Sequence, residues 1–126
     1  MKTSFFRCNI CGNVVIKAID SGVMVECCSE YMEELTPKTE EEGAEKHLPI
    51  VTPMDNNMWK VEVGSTAHPM LKEHHIEFIY FETRDGGQIA YLYPGMEPKA
   101  VFYSKDKPVA VYEYCNLHGL WKTEIK

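Results

Sequence analysis

Five cysteines and five histidines carry the distinctive chemistry of this 126-residue chain. Four of the cysteines crowd the N-terminal end, as Cys8 and Cys11 in CNIC and Cys27 and Cys28 in ECCSE. The first spacing is a knuckle: a tight turn lets two thiolates aim at one centre, and Gly12 relieves the crowding behind it. Four soft sulfurs around one point select zinc or iron over magnesium or calcium. The adjacent pair is unusual, because neighbouring side chains must splay in opposite directions to share a tetrahedron. That favours iron and leaves zinc open. Clustering of this kind in a reducing compartment favours metal over disulfides, and the alternative is four thiols buried as small apolar groups.

The fifth cysteine, Cys115, stands three residues before His118 in EYCNLHGLW. The remaining histidines are His47 in EKHLP and His68, His74 and His75 in TAHPMLKEHHIEF. One histidine alone is more often a surface or core residue, but this many beside the one leftover cysteine point to a second metal site. A blue-copper arrangement wants a methionine after the histidine, and GLWKTEIK has none. Zinc is satisfied by four ligands. Four imidazoles and one thiolate suggest five-coordinate iron, with the position opposite sulfur free for a small ligand and the thiolate pushing electron density towards it.

The elements that must position these groups are mostly strands. MWKVEVG alternates, with Trp59, Val61 and Val63 on one face. HHIEFIYFE reads as a longer strand in which His74, Ile76, Phe78 and Tyr80 share a face. TRDGGQ supplies a turn at Asp85-Gly86, and QIAYLYP returns from it. AVFYS and VAVYEYC flank Lys105-Asp106-Lys107-Pro108 and read as a second hairpin, with Cys115 on the face of Val109 and Val111. Between the cysteine-rich start and these strands, ELTPKTEEEGAEK is polar, acidic and without alternation, a linker or solvated loop. No helix is evident. The segment before the linker has about 35 residues, too few for a core without a staple.

Composition narrows the function classes. Hydrophobic residues at 44% and charged residues at 25% are ordinary globular values. A net charge of −6 without a basic stripe argues against nucleic acid. No apolar run reaches the roughly 20 residues of a membrane span, and MKTSFFRCNICG lacks a signal-peptide core. The expected location is the cytoplasm.

CNICG, ECC, EKHLP, GSTAHPM, EHHIEF and EYCNLHGLWK together resemble the desulfoferrodoxins, the two-iron form of superoxide reductase, in order and spacing over essentially the whole chain. The resemblance implies a mainly β protein. Residues 1–36 would form a small desulforedoxin-like module stapled by Fe(Cys)4 through Cys8, Cys11, Cys27 and Cys28. Residues 37–126 would form an immunoglobulin-like antiparallel β-sandwich carrying Fe(His)4(Cys). By motif position, His47, His68, His74 and His118 would be equatorial ligands and Cys115 the axial one. His75 stands where relatives often carry an aromatic residue. Glu45 matches the carboxylate that can take the sixth position in the oxidised state, and Lys46 the lysine that attracts superoxide. Their alternative is membership of the solvated acidic run. The implied reaction is one-electron reduction of superoxide to hydrogen peroxide, with re-reduction by a rubredoxin-like donor, in a homodimer. The competing readings are a non-catalytic two-iron electron carrier and a zinc-bound interaction module.

Overall fold

The computed structural model describes residues 3–126. The chain divides into two compact units, Met1–Thr36 and Pro37–Lys126. In the first, β1 (Phe5–Arg7) lies between β2 (Val14–Ile16) and β5 (Glu33–Glu34) in an antiparallel sheet. A small hairpin pairs β3 (Glu26–Cys27) with β4 (Glu30–Tyr31). Its core is slight: Phe6, Cys8 and Met32 are buried, with Val15, Val25 and Cys27 packed around them.

The second unit is an antiparallel sandwich of the immunoglobulin-like kind. One sheet has the order β10 (Lys99–Tyr103), β7 (Met58–Val63), β6 (Pro49–Pro53). The other has the order β12 (Gly119–Glu124), β11 (Ala110–Cys115), β8 (Ile76–Thr83), β9 (Gly86–Tyr91). Val61, Val63 and Phe102 from the first sheet meet Ile76, Ile79, Phe81, Val111 and Cys115 from the second in one core. Each such side chain, fully buried, contributes about 1.5–3 kcal/mol. The sulfur of Cys115 is therefore part of the hydrophobic core.

Four sequence expectations change. β10 and β11 do not form a hairpin: β10 pairs with β7, and β11 pairs with β8 and β12. The segment between them crosses from one sheet to the other because Phe102 must face Phe81 across the core, where their rings stack at 4.9 Å. The hairpin that matters is β11–β12, closed by Asn116-Leu117-His118 with Cys115 opposite Gly119.

The β8–β9 turn sits at Arg84-Asp85, one residue earlier than expected, since Gly86 already pairs with Thr83. The face shared by Ile76, Phe78 and Tyr80 is broken by a bulge. Cys115 pairs with Ile76 and Tyr114 with Phe78, so Glu77 has no opposite number. Ile76 consequently joins Ile79 and Phe81 in the core, while Phe78 stacks on Tyr114 at 5.6 Å. His74 lies before β8, outside the strand.

Finally, the acidic stretch ends in a single helical turn, α1 (Ala44–His47), entered through Gly43 at φ 92°. Short polar segments of this kind carry no helical periodicity to read. No helix among the described residues is long and apolar enough to cross a membrane.

Candidate metal centres

The N-terminal cluster is built by two turns. At the knuckle, the Gly12 N–H donates to the Cys8 carbonyl at 2.9 Å and Gly12 takes φ 85°. The Cys11 N–H points at the Cys8 sulfur, 3.4 Å away. At the adjacent pair, Cys28 and Ser29 both adopt left-handed backbone, with φ 55° and 64°. This costs backbone energy for residues with a Cβ, and it is how two neighbouring cysteines are brought to one side. The Cys11 and Cys27 sulfurs lie 3.6 Å apart, and Cys27 and Cys28 4.0 Å apart. All four sulfurs are within 4.8 Å of one another. The N–H groups of Cys11 and Ile10 favour a thiolate at Cys8 and hold its pKa at about 6, while the neighbouring sulfurs of Cys11, Cys8 and Cys27 push Cys28 up to about 12. Four thiolates at this separation therefore require a cation between them.

The second cluster draws its side chains from four chain segments. His47 ends α1, His68 follows β7, His74 precedes β8, and Cys115 and His118 flank the β11–β12 turn. The four imidazoles form a closed ring. Centroids are 4.5 Å apart for His47–His68, 4.8 Å for His68–His74, 5.0 Å for His74–His118 and 5.0 Å for His118–His47. Each ring stands at 62° to 81° to the next, so the four are arranged like vanes about a common axis. Cys115, 0% exposed, lies below with its sulfur 3.9 Å from His118 Nδ1. The donor atoms of His47, His68, Cys115 and His118 all fall within 4.8 Å of one another, and His74 closes the ring between His68 and His118. Above the imidazoles opens a cavity of about 420 Å³, lined by all four rings together with Trp121, Lys38, Glu42, Glu45 and Lys46.

These residues fit a metal on the chemistry of their own atoms. His68 Nδ1 lies 2.7 Å from the Pro69 carbonyl, which can only accept. The hydrogen is therefore on Nδ1, and Nε2 presents a lone pair. The Nε2 atoms of His68 and His74 are buried without a hydrogen-bond partner, a costly state unless a cation takes the lone pairs. Burial, reinforced by the other imidazoles, depresses the pKa of His47 to about 3 and lowers those of His68 and His74. All three are thus neutral, as metal ligands must be. Burial pushes the Cys115 thiol up, so a thiolate there needs a positive partner.

Several supporting residues escaped the sequence reading. Glu113, 0% exposed, places Oε2 3.0 Å from His47 Nδ1, and burial raises its pKa well above the ordinary carboxylate range. The signal was a carboxylate between two tyrosines on the strand that ends at Cys115. Trp121 stacks on His47 at 4.5 Å and 5°. Asn116 ties the ligand loops together: its N–H and Nδ2 donate to the His75 and Glu73 carbonyls, and its Oδ1 accepts from the His75 N–H. Gly64 is a contact point, since a Cβ there would sit 2.5 Å from the Glu45 carbonyl oxygen. Any side chain at that position would push α1 and His47 out of place. His75 is not among the residues lining the cavity, and its Nδ1 donates to the Leu71 carbonyl at 3.1 Å.

Comparison with known proteins agrees with this geometry. The sequence profile described as Desulfoferrodoxin matches residues 39–124. The desulfoferrodoxin of Desulfarculus baarsii is 37% identical over 120 residues, covering 94% of each chain. That of Nitratidesulfovibrio vulgaris is 40% identical over 119 residues, again 94% of each. The crystal structure of the superoxide reductase from Treponema pallidum superposes with a TM-score of 0.81 at 32% identity, covering 98% of both chains. The four-cysteine cluster and the four-histidine, one-cysteine cluster match the two-iron pattern of the desulfoferrodoxin family, Fe(Cys)4 and Fe(His)4(Cys).

Proposed function

The chain belongs to the desulfoferrodoxin family, and from that premise we propose that it is a superoxide reductase. The observation that carries the reading is the asymmetry of the second cluster. Its thiolate donor is sealed in the core, while its imidazole face opens onto a small cavity bordered by lysines. A site for electron transfer alone has no use for an open face.

In this reading Cys8, Cys11, Cys27 and Cys28 hold the first iron, and the unit they staple is the desulforedoxin-like module. His47, His68, His74, His118 and Cys115 hold the second iron in the sandwich unit. Ferrous iron bound there supplies one electron and a Lewis-acidic position, so that superoxide, one electron and two protons give hydrogen peroxide with no dioxygen released. The chain does the rest. Four neutral imidazoles leave the charge at the centre to the metal and the single thiolate. Cys115, shielded from water, would supply the electron-donating thiolate. Lys46 attracts the anion to the cavity, and Glu45 beside it would be the carboxylate available to an oxidised iron held there. The cavity admits a diatomic ion and water, and water delivers the protons. A rubredoxin-like donor in the cytoplasm returns the electron, and the chain works as a homodimer.

The test is to expose the fully reduced protein to pulses of superoxide while following the second site's visible spectrum, hydrogen peroxide and dioxygen. One peroxide per oxidised second-site iron, with no dioxygen, is expected. A reduced protein that superoxide leaves unoxidised is an electron carrier, and the proposal falls. A protein isolated with zinc and no visible bands belongs to the third class.

A further inference from the structure

The cavity above the histidine ring is bordered by two lysines, Lys46 and Lys38. Lys38 lies in the polar stretch that reads from sequence as a solvated loop. The structure binds its backbone to the edge of β12: its N–H donates to the Leu120 carbonyl at 2.9 Å, and its carbonyl accepts from the Lys122 N–H at 3.0 Å. Its ammonium is equally fixed. Nζ donates to the His118 carbonyl at 3.0 Å and lies 5.3 Å from the centre of the Trp121 ring. Trp121 Nε1 donates to the same carbonyl at 3.1 Å. The half-buried Lys38 is thus held against two residues of the ring's surroundings and faces the same cavity as Lys46.

What holds this ammonium decides what it can do. Lys17, Lys60, Lys99 and Lys122 each sit within 3.5 Å of a carboxylate, which cancels most of their outward field. Among the described residues Lys38 makes no such ion pair. Its hydrogen-bond and ring partners are a carbonyl dipole and an aromatic face, which orient a cation without neutralising it, and the Glu41 carboxylate, which feels the charge of Lys38, is not within ion-pair distance of it. The setting needs such a charge. The chain carries −6 overall, and Glu42 and Glu45 also border the cavity. An anion approaching from solvent meets a repulsive field that one lysine has to reverse alone unless a second helps.

We propose that Lys38 is a second fixed cation of the cavity, recruiting the anionic substrate to the open face of the histidine ring together with Lys46. This rests on the reading of the substrate as superoxide, but the local chemistry is that of any small monovalent anion. Lys38 acts through its charge on the incoming ion. Its bond to the His118 carbonyl is what keeps that charge in place.

The experiment compares wild type, Lys38→Met, Lys38→Arg and Lys46→Ala, each loaded with iron. Because the backbone of Lys38 makes the strand contact, a side-chain change leaves the fold intact. Two readouts are used: the bimolecular rate with superoxide across a salt series, and the affinity of the oxidised site for azide, an unreactive small anion. Lys38→Met should slow the superoxide reaction about three- to tenfold at low salt, within the range of electrostatic focusing, and lose most of that deficit near 1 M salt, where the Debye length is about 3 Å. Azide should bind more weakly by a similar factor, the visible spectrum should stay unchanged, and Lys38→Arg should recover both values. Wild-type rate and azide affinity in Lys38→Met would overturn the proposal. So would a rate loss that ignores salt and comes with an altered spectrum, which would make Lys38 a prop for His118. If wild type does not react with superoxide, the reductase reading fails, and the azide series alone still decides the role of Lys38.

Discussion

Replacing Glu113 by leucine tests how the second site prepares its ligands. Glu113 has no contact with solvent, and its Oε2 is 3.0 Å from His47 Nδ1. A neutral imidazole has one hydrogen and one lone pair, and the acceptor at Nδ1 draws the hydrogen there and leaves Nε2 free to bind metal. Leucine is close to isosteric and fills the same space. It leaves the Nδ1 hydrogen of a residue 5% exposed with no acceptor. Two independent arguments set the size of the effect. Loss of a hydrogen-bond partner behind a ligand lowers metal affinity by about 10–100-fold, or about 1.4–2.7 kcal/mol at about 1.36 kcal/mol per tenfold. Stranding a buried donor costs about 1–3 kcal/mol. The ranges coincide, so Glu113→Leu should bind ferrous iron at the second site about 10–100-fold more weakly. Glu113→Gln, whose amide oxygen can still accept, should lose about tenfold or less. The assay is anaerobic competition with a chromophoric chelator, followed at the second site's own visible band so that the four-cysteine site does not contribute. Wild-type affinity in the leucine variant would refute the reasoning, as would a glutamine variant weaker than the leucine one.

Cys115→Ser exchanges a soft thiolate for a hard, poorly donating oxygen, and should abolish the second site's charge-transfer band and its reaction with superoxide together; a coloured, active variant would remove Cys115 from the ligand set. Cys11→Ser should destroy or alter the N-terminal site's spectrum and leave the first encounter of reduced protein with superoxide nearly unchanged, since each unit has its own core; a matching fall in that rate would show that the two sites are coupled. Stability should fall with acid. His47 is held at a pKa of about 3, and His68 and His74 are also lowered, against about 6.5 in the unfolded chain. In the metal-free protein the unfolded histidines bind more protons than the folded ones, so their contribution is full above about pH 6.5 and is lost as pH falls towards the folded values, while Glu113, raised by burial, keeps a proton in the folded state and offsets part of that loss. A guanidinium unfolding midpoint that does not move between pH 7 and pH 5 would contradict this.

What the sequence displayed was chemistry; what it concealed was mostly geometry. Residue type and short spacing marked Cys8, Cys11, Cys27, Cys28, Cys115 and the histidines as metal-ligating, because a Cys-x-x-Cys or Cys-x-x-His turn is a local object. The alternation of MWKVEVG likewise gave β7 directly. The crossing from β10 to β11 was misread because a turn signal says that the chain reverses, not which sheet receives it. The bulge at Glu77 was invisible for a related reason. Alternation across Ile76, Phe78 and Tyr80 is equally good in a regular strand, and only pairing with β11 shows that Ile76 belongs to the other face. Lys38 and α1 lay in a run whose acidity masked its structure. Glu113 was overlooked because a single carboxylate in a strand ordinarily faces water. Here it faces an imidazole contributed by a residue 66 positions earlier.

The supports of the second site have a common property: each joins one ligand-bearing segment to another, or to the sandwich. The Glu45 carbonyl, two residues before His47, accepts from the Thr66 N–H and the Ser65 hydroxyl, two and three residues before His68. The His68 N–H donates to Val63 at the end of β7. Asn116 joins the Cys115–His118 turn to the His74 segment, and Glu113 joins β11 to His47. The imidazoles are therefore placed by bonds the chain makes with itself, on a core of two sheets that buries Cys115 whether or not the sulfur carries charge. The first unit is built the other way round. Among the described residues its core cluster is Phe6, Cys8 and Met32, with Phe5 buried besides, and left-handed backbone at Cys28 and Ser29 has to be held against its own strain. There the metal–sulfur bonds supply the folding energy that the core lacks. In the second unit the fold comes first, and metal-binding energy is free to set affinity and reactivity. A reactive centre needs ligands that keep their places when the charge at its centre changes by one.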